Sequence, residues 1–190
     1  MGCIALDRVA KDRDFMEKQL ENFVQTDTIC YRHDSRATET LYARQIATWD
    51  PLNEWFAENY GGEKLQVTTG LGVNKQPEVA YAEVRKFIQN LCPWRLAAFD
   101  TITAVTKSIV ISLAVANGHL TAEEACKACR LEEDYQAEVF GFVEGGHDWD
   151  VATTKVRLTS AAMVFRSMEL EEEEGFECLM GALQEQDKIQ

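Results

Sequence analysis

The stretch Ile109-Val-Ile-Ser-Leu-Ala-Val-Ala116 is the longest apolar run in this chain of 190 residues. It is apolar on all sides of a helical wheel, which is typical of a central helix surrounded by neighbouring helices. The run is far shorter than the roughly 20 residues that a bilayer requires, and Asp100 and Lys107 interrupt the sequence before it. We therefore predict that it forms the core rod of a helical domain, inside a helix from Pro93 to Asn117, and that the chain has no membrane span.

Helical patterns continue on both sides of this core rod. Apolar residues recur with helical spacing, and Pro, Gly and capping residues mark the helix ends. Before the core rod, the predicted helices are Lys11 to Val24, one that begins at Asp50-Pro51 and ends at Gly61-Gly62, and Pro77 to Leu91. After it, a helix runs from Thr121 to about Phe140 and begins with the capping box Thr121-Ala-Glu-Glu124. A last helix begins at Asp148 or Asp150 and reaches Met168. The sequence thus predicts a mainly α, multi-helical single domain with at most a short strand or hairpin near residues 64–72.

Composition indicates one folded domain. Hydrophobic residues make up 46% of the chain, which is enough for a good-sized core, and we find no repeat and no Pro/Ser-rich linker. We predict a helical domain at residues 1–168 and an acidic tail at residues 169–190, with room for one short amphipathic helix. The 6 scattered cysteines favour reduced thiols. The first residues, Met1 to Val9, have the pattern of neither a secretory signal nor a transit peptide, so we expect no targeting segment here.

Charge is concentrated in the C-terminal third. The formal net charge is −13, of which −2 belongs to residues 1–118 and −11 to residues 119–190. Such a surface repels phosphate backbones and anionic lipid headgroups, which argues against a nucleic-acid or membrane partner. A protein partner with a basic or mixed surface fits better.

Motifs that could support chemistry are incomplete. Cys126-x-x-Cys129 lacks the second ligand pair of a structural zinc site, and Glu144-x-x-His147 contains the helix-breaking Gly145-Gly146. Gly70-Leu-Gly72 is a weak phosphate-loop signal, and His33 and His119 have no nucleophile motif beside them. We therefore predict no catalytic residues, no metal site and no cofactor.

One acid stands apart from the solvated majority. On a wheel for the predicted helix 121–140, Glu132 lies within the apolar face, whereas Glu133 and Asp134 point away from it. That face comprises Ala125, Ala128, Leu131, Tyr135 and Val139. Because an unpaired buried carboxylate is costly, Glu132 must pair with an Arg or Lys of the fold, reach solvent at the rim, or contact a partner molecule.

Five motifs taken in order resemble the mitochondrial ATP synthase assembly factor 2 family, which are chaperones of the alpha subunit of the F-type ATP synthase. Their order and spacing are similar to those of the family's helical C-terminal domain. The motifs are Ala5-Leu-Asp-Arg-Val9, Asp27-Thr-Ile-Cys-Tyr-Arg32, Trp49-Asp-Pro-Leu-Asn-Glu-Trp55 with Tyr60-Gly61, Arg130-Leu-Glu-Glu-Asp-Tyr-Gln136 and Glu144-Gly-Gly-His-Asp148. The family's N-terminal β-rich domain and presequence have no counterpart in this sequence, and the acidic tail after Glu169 matches nothing that we can place.

The resemblance implies a mitochondrial matrix protein that binds the unassembled alpha subunit and shields the surface later given to the beta subunit, without enzymatic activity. The family's functionally sensitive glutamate, the first acid of the Leu-Glu-Glu motif, corresponds to Glu132. The candidate partner-binding residues are Glu132, Glu133, Asp134, Tyr135 and Asp148. Two alternatives stay open at this point: a small enzyme that uses Glu132, Glu133 and His147 as acid/base groups, and a structural subunit of a stable complex.

Overall fold

Helices packed around one central helix make up nearly all of the fold. The computed structural model describes residues 8–34, 38–70, 72 and 75–187, with side chains described up to residue 168. The α-helices in this part of the chain are Ala10–Thr26 (α1), Glu39–Asn59 (α2), Glu78–Gln89 (α3), Pro93–Thr106 (α4), Ile109–Ala116 (α5), Ala122–Cys129 (α6), Leu131–Phe140 (α7) and His147–Asp187 (α8). Two short strands, Tyr31–Arg32 (β1) and Thr68–Thr69 (β2), pair in parallel. The predicted mainly α class is confirmed, and the short strand predicted near residues 64–72 is β2, whose partner β1 the sequence did not reveal.

The central helix is α5. Each of its residues is buried, and α1, α2, α4, α6 and α8 all pack against it. Around α5, the most extensive contact between two helices is that of α4 with α8, where the ring centroids of Phe99 and Phe165 lie 6.3 Å apart. The core rod predicted from the apolar run at residues 109–116 is therefore confirmed.

A buried carboxylate anchors the start of α5. Asp27 follows α1, and its Oδ2 accepts a hydrogen bond from the Val110 backbone N–H at 3.0 Å, while its Oδ1 accepts one from Ile29 N–H at 3.0 Å. These bonds satisfy backbone donors that a helix start would otherwise leave unpaired. Asp27 therefore joins the end of α1 to the central helix.

The Asp27 carboxyl makes stability depend on pH. Burial raises its pKa from 3.8 to about 6, and hydrogen bonds to the ionised form oppose that effect only in part. A carboxyl with a raised folded-state pKa contributes most below its unfolded pKa, and the contribution is lost as the pH rises through about 6. We expect the advantage of the parent over Asp27→Asn in free energy of unfolding to shrink by roughly 2 kcal/mol between pH 4 and pH 7, measured by urea titration. An advantage that grows with pH would mean that the native state favours the ionised carboxyl.

The predicted helix from Pro93 to Asn117 is wrong in one respect, since it is two helices. Lys107 ends α4 in the left-handed conformation, with φ of 53°. Ser108 then caps α5, its hydroxyl accepting a hydrogen bond from Ile111 N–H at 3.0 Å. The turn lets α5 enter the core at a new angle, and no Gly or Pro marks it in the sequence.

The conformation of Lys107 predicts a stabilising substitution. A side chain with a Cβ atom is strained in the left-handed region, whereas glycine adopts it freely. Lys107 is exposed, so its side chain contributes little packing. We expect Lys107→Gly to raise the free energy of unfolding by about 1 kcal/mol in a denaturant titration. Lys107→Ala keeps the Cβ atom and should leave stability nearly unchanged; an equal gain in both variants would attribute the effect to the lost charge.

The start predicted for the second helix is also wrong. Asp50-Pro51 has the sequence of a helix start, but α2 begins at Glu39 and continues through Pro51. One buried stripe runs along the whole helix through Leu41, Gln45, Trp49, Leu52, Asn53 and Phe56. The burial of this continuous stripe outweighs the one backbone hydrogen bond that Pro51 cannot donate.

Residues of two of the five motifs, those at residues 27–32 and 49–55, contact one another in the fold. Arg32 forms a salt bridge with Asp50, Nη2 to Oδ1 at 2.8 Å, and its guanidinium lies 5.0 Å from the centroid of the Trp49 ring. Trp49 Nε1 donates a hydrogen bond to the Ala128 carbonyl oxygen at 2.8 Å. These three residues therefore tie β1, α2 and α6 together.

The helix predicted from Thr121 to Phe140 is broken at Arg130. The capping box at Thr121 and Glu124 is present, but Arg130 has φ of −98° and ψ of 7°, and a separate helix follows it. The buried position predicted for Val139 is also wrong: this side chain is exposed, because α7 lies at the surface and none of its residues is buried. Burial of the Arg130 side chain between the neighbouring elements accompanies the break.

The last helix crosses the predicted domain boundary. Leu158, Ala161 and Phe165 of α8 are buried as the sequence predicted, and the helix backbone continues to Asp187. The boundary at residue 168 stays a prediction, and the side chains of the acidic tail lie outside the described residues. So do Ala5, Leu6 and Asp7 of the first motif.

Candidate functional site

A polar cleft lies where three turns of the chain meet. It has a volume of about 340 Å³ and lies between the α4–α5 turn, the α6–α7 turn and the first turns of α8. Its charged lining comprises Lys107, Arg130, Glu132, Glu133, Asp150 and Arg157. Two of the five predicted partner-binding residues, Glu132 and Glu133, therefore line one cleft.

Glu132 is held by an amide rather than by a cation. Its Oε1 accepts a hydrogen bond from Gln45 Nε2 at 2.5 Å, and Gln45 Oε1 accepts one from His33 N–H at 2.8 Å. Gln45 is fully buried, whereas Glu132 is half-buried. Within the residues that the structure describes, no Lys or Arg forms a salt bridge with Glu132. Of the three possibilities left open by the sequence, the internal ion pair is therefore not what the structure shows.

Asp134 has a structural partner. Arg130 is almost completely buried, and its Nε lies 3.3 Å from Asp134 Oδ1 while its Nη1 bonds Asp150 Oδ2. One guanidinium thus joins the start of α7 to the first turn of α8. Asp134 therefore has a salt-bridge partner within the protein, which Glu132 lacks among the described residues.

Tyr135 fastens α7 to α2. The Arg44 guanidinium lies 5.3 Å from the centroid of the Tyr135 ring, and Arg44 Nη1 lies 2.8 Å from Glu138 Oε2. None of the residues of α7 is buried. This helix is therefore held on the surface of α2 by polar and cation–π contacts.

Asp148 lies outside the cleft. It is exposed in the first turn of α8, where its Oδ2 lies 3.4 Å from the Gly145 backbone N–H. The loop before it folds onto the helix start, because His147 Nδ1 accepts a hydrogen bond from Val143 N–H at 3.1 Å. The other four predicted residues lie on α7, so the loop between α7 and α8 separates Asp148 from them.

Exposed apolar side chains lie in the same segment of the chain as these acids, and the helical wheel did not reveal their exposure. Phe140 is 84% exposed and Trp149 is 74% exposed, and Val139, Phe142 and Val143 are also mostly exposed. Residues 131–150 further contain 7 acids and no Lys or Arg. We call the exposed acidic and apolar side chains of residues 131–150 the α7–α8 surface. The apolar run around Phe140 was the available signal, but the continuous wheel assigned Val139 to the core.

Comparison with known proteins gives the family. A family model described as ATP12 chaperone protein matches residues 1–57. The mitochondrial protein atp12 of Schizosaccharomyces pombe is 30% identical over 162 residues, which cover 84% of this chain and 56% of that protein. The mitochondrial protein ATP12 of Saccharomyces cerevisiae is 26% identical over 178 residues, which cover 82% of this chain and 55% of that protein. The crystal structure of Atp12 from Paracoccus denitrificans superposes with a TM-score of 0.79 at 28% identity, covering 86% of this chain and 68% of that one.

The chain belongs to the ATP12 chaperone family. The resemblance found from the five motifs is confirmed. The chain spans about half the length of the two curated ATP12 relatives, 56% and 55% of them. Both relatives carry the word mitochondrial in their names.

The two cysteines of the Cys126-x-x-Cys129 motif are free thiols, and burial raises the pKa of both. Cys126 is buried and Cys129 is half-buried, and burial raises the pKa of Cys129 to about 12. Cys129 Sγ lies 3.4 Å from the Cys126 carbonyl oxygen in their shared helix.

Among the described residues, no three His, Cys, Asp or Glu side chains are grouped so that they could hold a metal ion. In the same part of the chain, no helix has the length and apolar character needed to cross a membrane.

Proposed function

We propose that the chain is an assembly chaperone that binds the unassembled alpha subunit of the F-type ATP synthase catalytic head and shields its subunit interface until assembly. Membership of the ATP12 chaperone family supports this role. The α7–α8 surface is the structural observation that carries it. Exposed apolar side chains in one contiguous segment, here among acids without a basic residue, are typical of a surface that binds another protein.

Glu132 contributes to this binding from the edge of the cleft. Gln45 fixes its orientation, while no basic side chain among the described residues neutralises its charge by a salt bridge. A lysine or arginine of the alpha subunit would gain a charge-assisted hydrogen bond there. Glu133, Tyr135 and Asp148 extend the same contact, and Asp134 supports it through Arg130.

The proposal places the chain in the mitochondrial matrix, where the alpha subunit is assembled, and assigns it no enzymatic activity. The names of the two curated relatives support a mitochondrial location. A chaperone of this kind leaves its partner before the enzyme is complete.

Co-expression tests the proposal. The alpha subunit is produced alone and together with this chain, and its soluble fraction is measured. We expect the alpha subunit to become soluble and to co-purify with the chain, whereas an unchanged soluble fraction without a complex would contradict the proposal. The finished enzyme is then analysed for the chain: absence supports a chaperone, and stoichiometric presence indicates a structural subunit.

A further inference from the structure

An apolar stripe runs along the outward face of α8. Trp149, Val156 and Met163 follow one another at intervals of seven residues, and each is about two-thirds or more exposed, at 74%, 64% and 64%. The buried residues of the same helix, Leu158 and Phe165, lie on the opposite side of the helical wheel. The stripe is therefore not part of the core of this chain.

The spacing of the stripe matches a helical partner. Seven residues are close to two helical turns, so the three side chains lie nearly in line over about 21 Å. Apolar side chains repeated at this interval are the arrangement into which a second helix packs its own side chains. Small residues, Ala152 and Ser160, lie between the large ones on this face and leave room for such packing.

Charge defines the partner further. Trp149 belongs both to the stripe and to the α7–α8 surface, so the N-terminal end of the stripe meets a segment with 7 acids and no Lys or Arg. Farther along, Lys155 and Arg166 flank the stripe. A helix that binds here gains most if its Lys and Arg residues are at the end that meets Trp149. A second copy packed in parallel about a two-fold axis would bring the same acids against one another, which disfavours that arrangement.

We propose that the outward face of α8 docks an amphipathic α-helix of the bound partner, whose apolar side packs on Trp149, Val156 and Met163 and whose basic end meets the acids of residues 131–150. The identity of the protein that supplies this helix rests on the proposed function. The chemistry of the helix rests on the stripe and on the charges beside it.

Synthetic helices test the chemistry independently of the alpha subunit. Three fluorescent 21-residue peptides with the same leucine heptads carry lysines at one end, lysines at the other end, or glutamates in place of the lysines. Binding to the full chain is measured by fluorescence anisotropy at two salt concentrations. We expect both lysine peptides to bind and the glutamate peptide to bind at least about tenfold more weakly. Equal binding of the glutamate peptide would overturn the charge assignment.

Two double variants of the chain, one in the stripe and one outside it, show where the peptide binds. Trp149→Ser/Met163→Ser should weaken binding by about tenfold or more, because both side chains lose their apolar contacts. The control Phe15→Ser/Val67→Ser replaces two exposed apolar residues on α1 and before β2 and should leave binding unchanged. Equal affinities for the two double variants would overturn the docking site. If the parent chain dimerises and only Trp149→Ser/Met163→Ser is monomeric, the face binds a second copy of the chain. That result would likewise overturn the proposal.

Binding of the alpha subunit to the parent and to the stripe variant distinguishes this inference from the proposed function. If the parent chain does not hold the alpha subunit, the proposed function fails, and the peptide results still decide the docking site. If the alpha subunit is held equally by the parent and by Trp149→Ser/Met163→Ser, the proposed function stands and the inference fails for that partner.

Discussion

Trp49→Ala lowers the free energy of unfolding by about 3–5 kcal/mol, the range expected when a large aromatic side chain is removed from a core. Trp49 is fully buried in the middle of α2. Its loss leaves a cavity, removes the donor to the Ala128 carbonyl oxygen and takes the aromatic face away from Arg32. Urea titration followed by circular dichroism measures the effect.

Trp149→Ala is the matched control for this prediction. It makes the same chemical change at an exposed position, where substitutions usually alter stability by no more than about 0.5 kcal/mol. Comparable losses in the two variants would mean that Trp149 is buried or that Trp49 is not, and would contradict the assignment of the core.

Glu132→Lys abolishes retention of the alpha subunit, with an expected loss in affinity of at least about a hundredfold. The substitution places a cation where the proposed contact requires an anion, and repulsion between like charges in a contact costs several kcal/mol. It also deprives the buried Gln45 amide of its acceptor, at a cost of about 1–3 kcal/mol in folding stability. Pull-down of the alpha subunit and urea titration of the free variant are therefore measured together.

Two controls separate charge from folding. Glu132→Gln retains an oxygen that can accept from Gln45, so it should fold as the parent does and hold the alpha subunit with reduced affinity. Glu58→Lys makes the same charge change at an exposed position of α2 outside the α7–α8 surface and should leave retention intact. A folded Glu132→Lys variant that protects the alpha subunit as well as the parent would show that Glu132 is not a contact residue.

Elements with complete local signals could be predicted from the sequence. The apolar run at Ile109–Ala116 and the capping box at Thr121 and Glu124 each contain the information that the structure uses, and both predictions are confirmed. The run needs only burial, and the capping box needs only side chains within four residues. Neither prediction required knowledge of a distant residue.

Helix breaks depend on contacts between distant residues. The break at Lys107 combines a non-glycine residue in the left-handed region with Asp27 and Ser108 capping the next helix, and only Ser108 is visible locally. The continuation of α2 through Pro51 depends in the same way on packing of Trp49 in the core. Local rules place a helix start at Asp50-Pro51, and tertiary burial overrides them.

The candidate site could be predicted only in part. The wheel placed Glu132 on an apolar face, and in the structure this side chain is half-buried and forms no salt bridge with a described residue; its role as a contact residue stays a prediction. The same wheel did not reveal the exposed apolar residues, because a wheel cannot show that α7 lies at the surface, where none of its residues is buried. The pairing of Arg130 with Asp134 and Asp150 required knowledge of how α8 returns to α7.

Hydrogen–deuterium exchange of the complex between this chain and the alpha subunit maps the proposed contact on both proteins at once. The proposed contact predicts slowed exchange in residues 131–163 of this chain and in the surface that the alpha subunit later gives to the beta subunit. Slowed exchange confined to other surfaces of either protein, or no change in exchange on mixing, would contradict it.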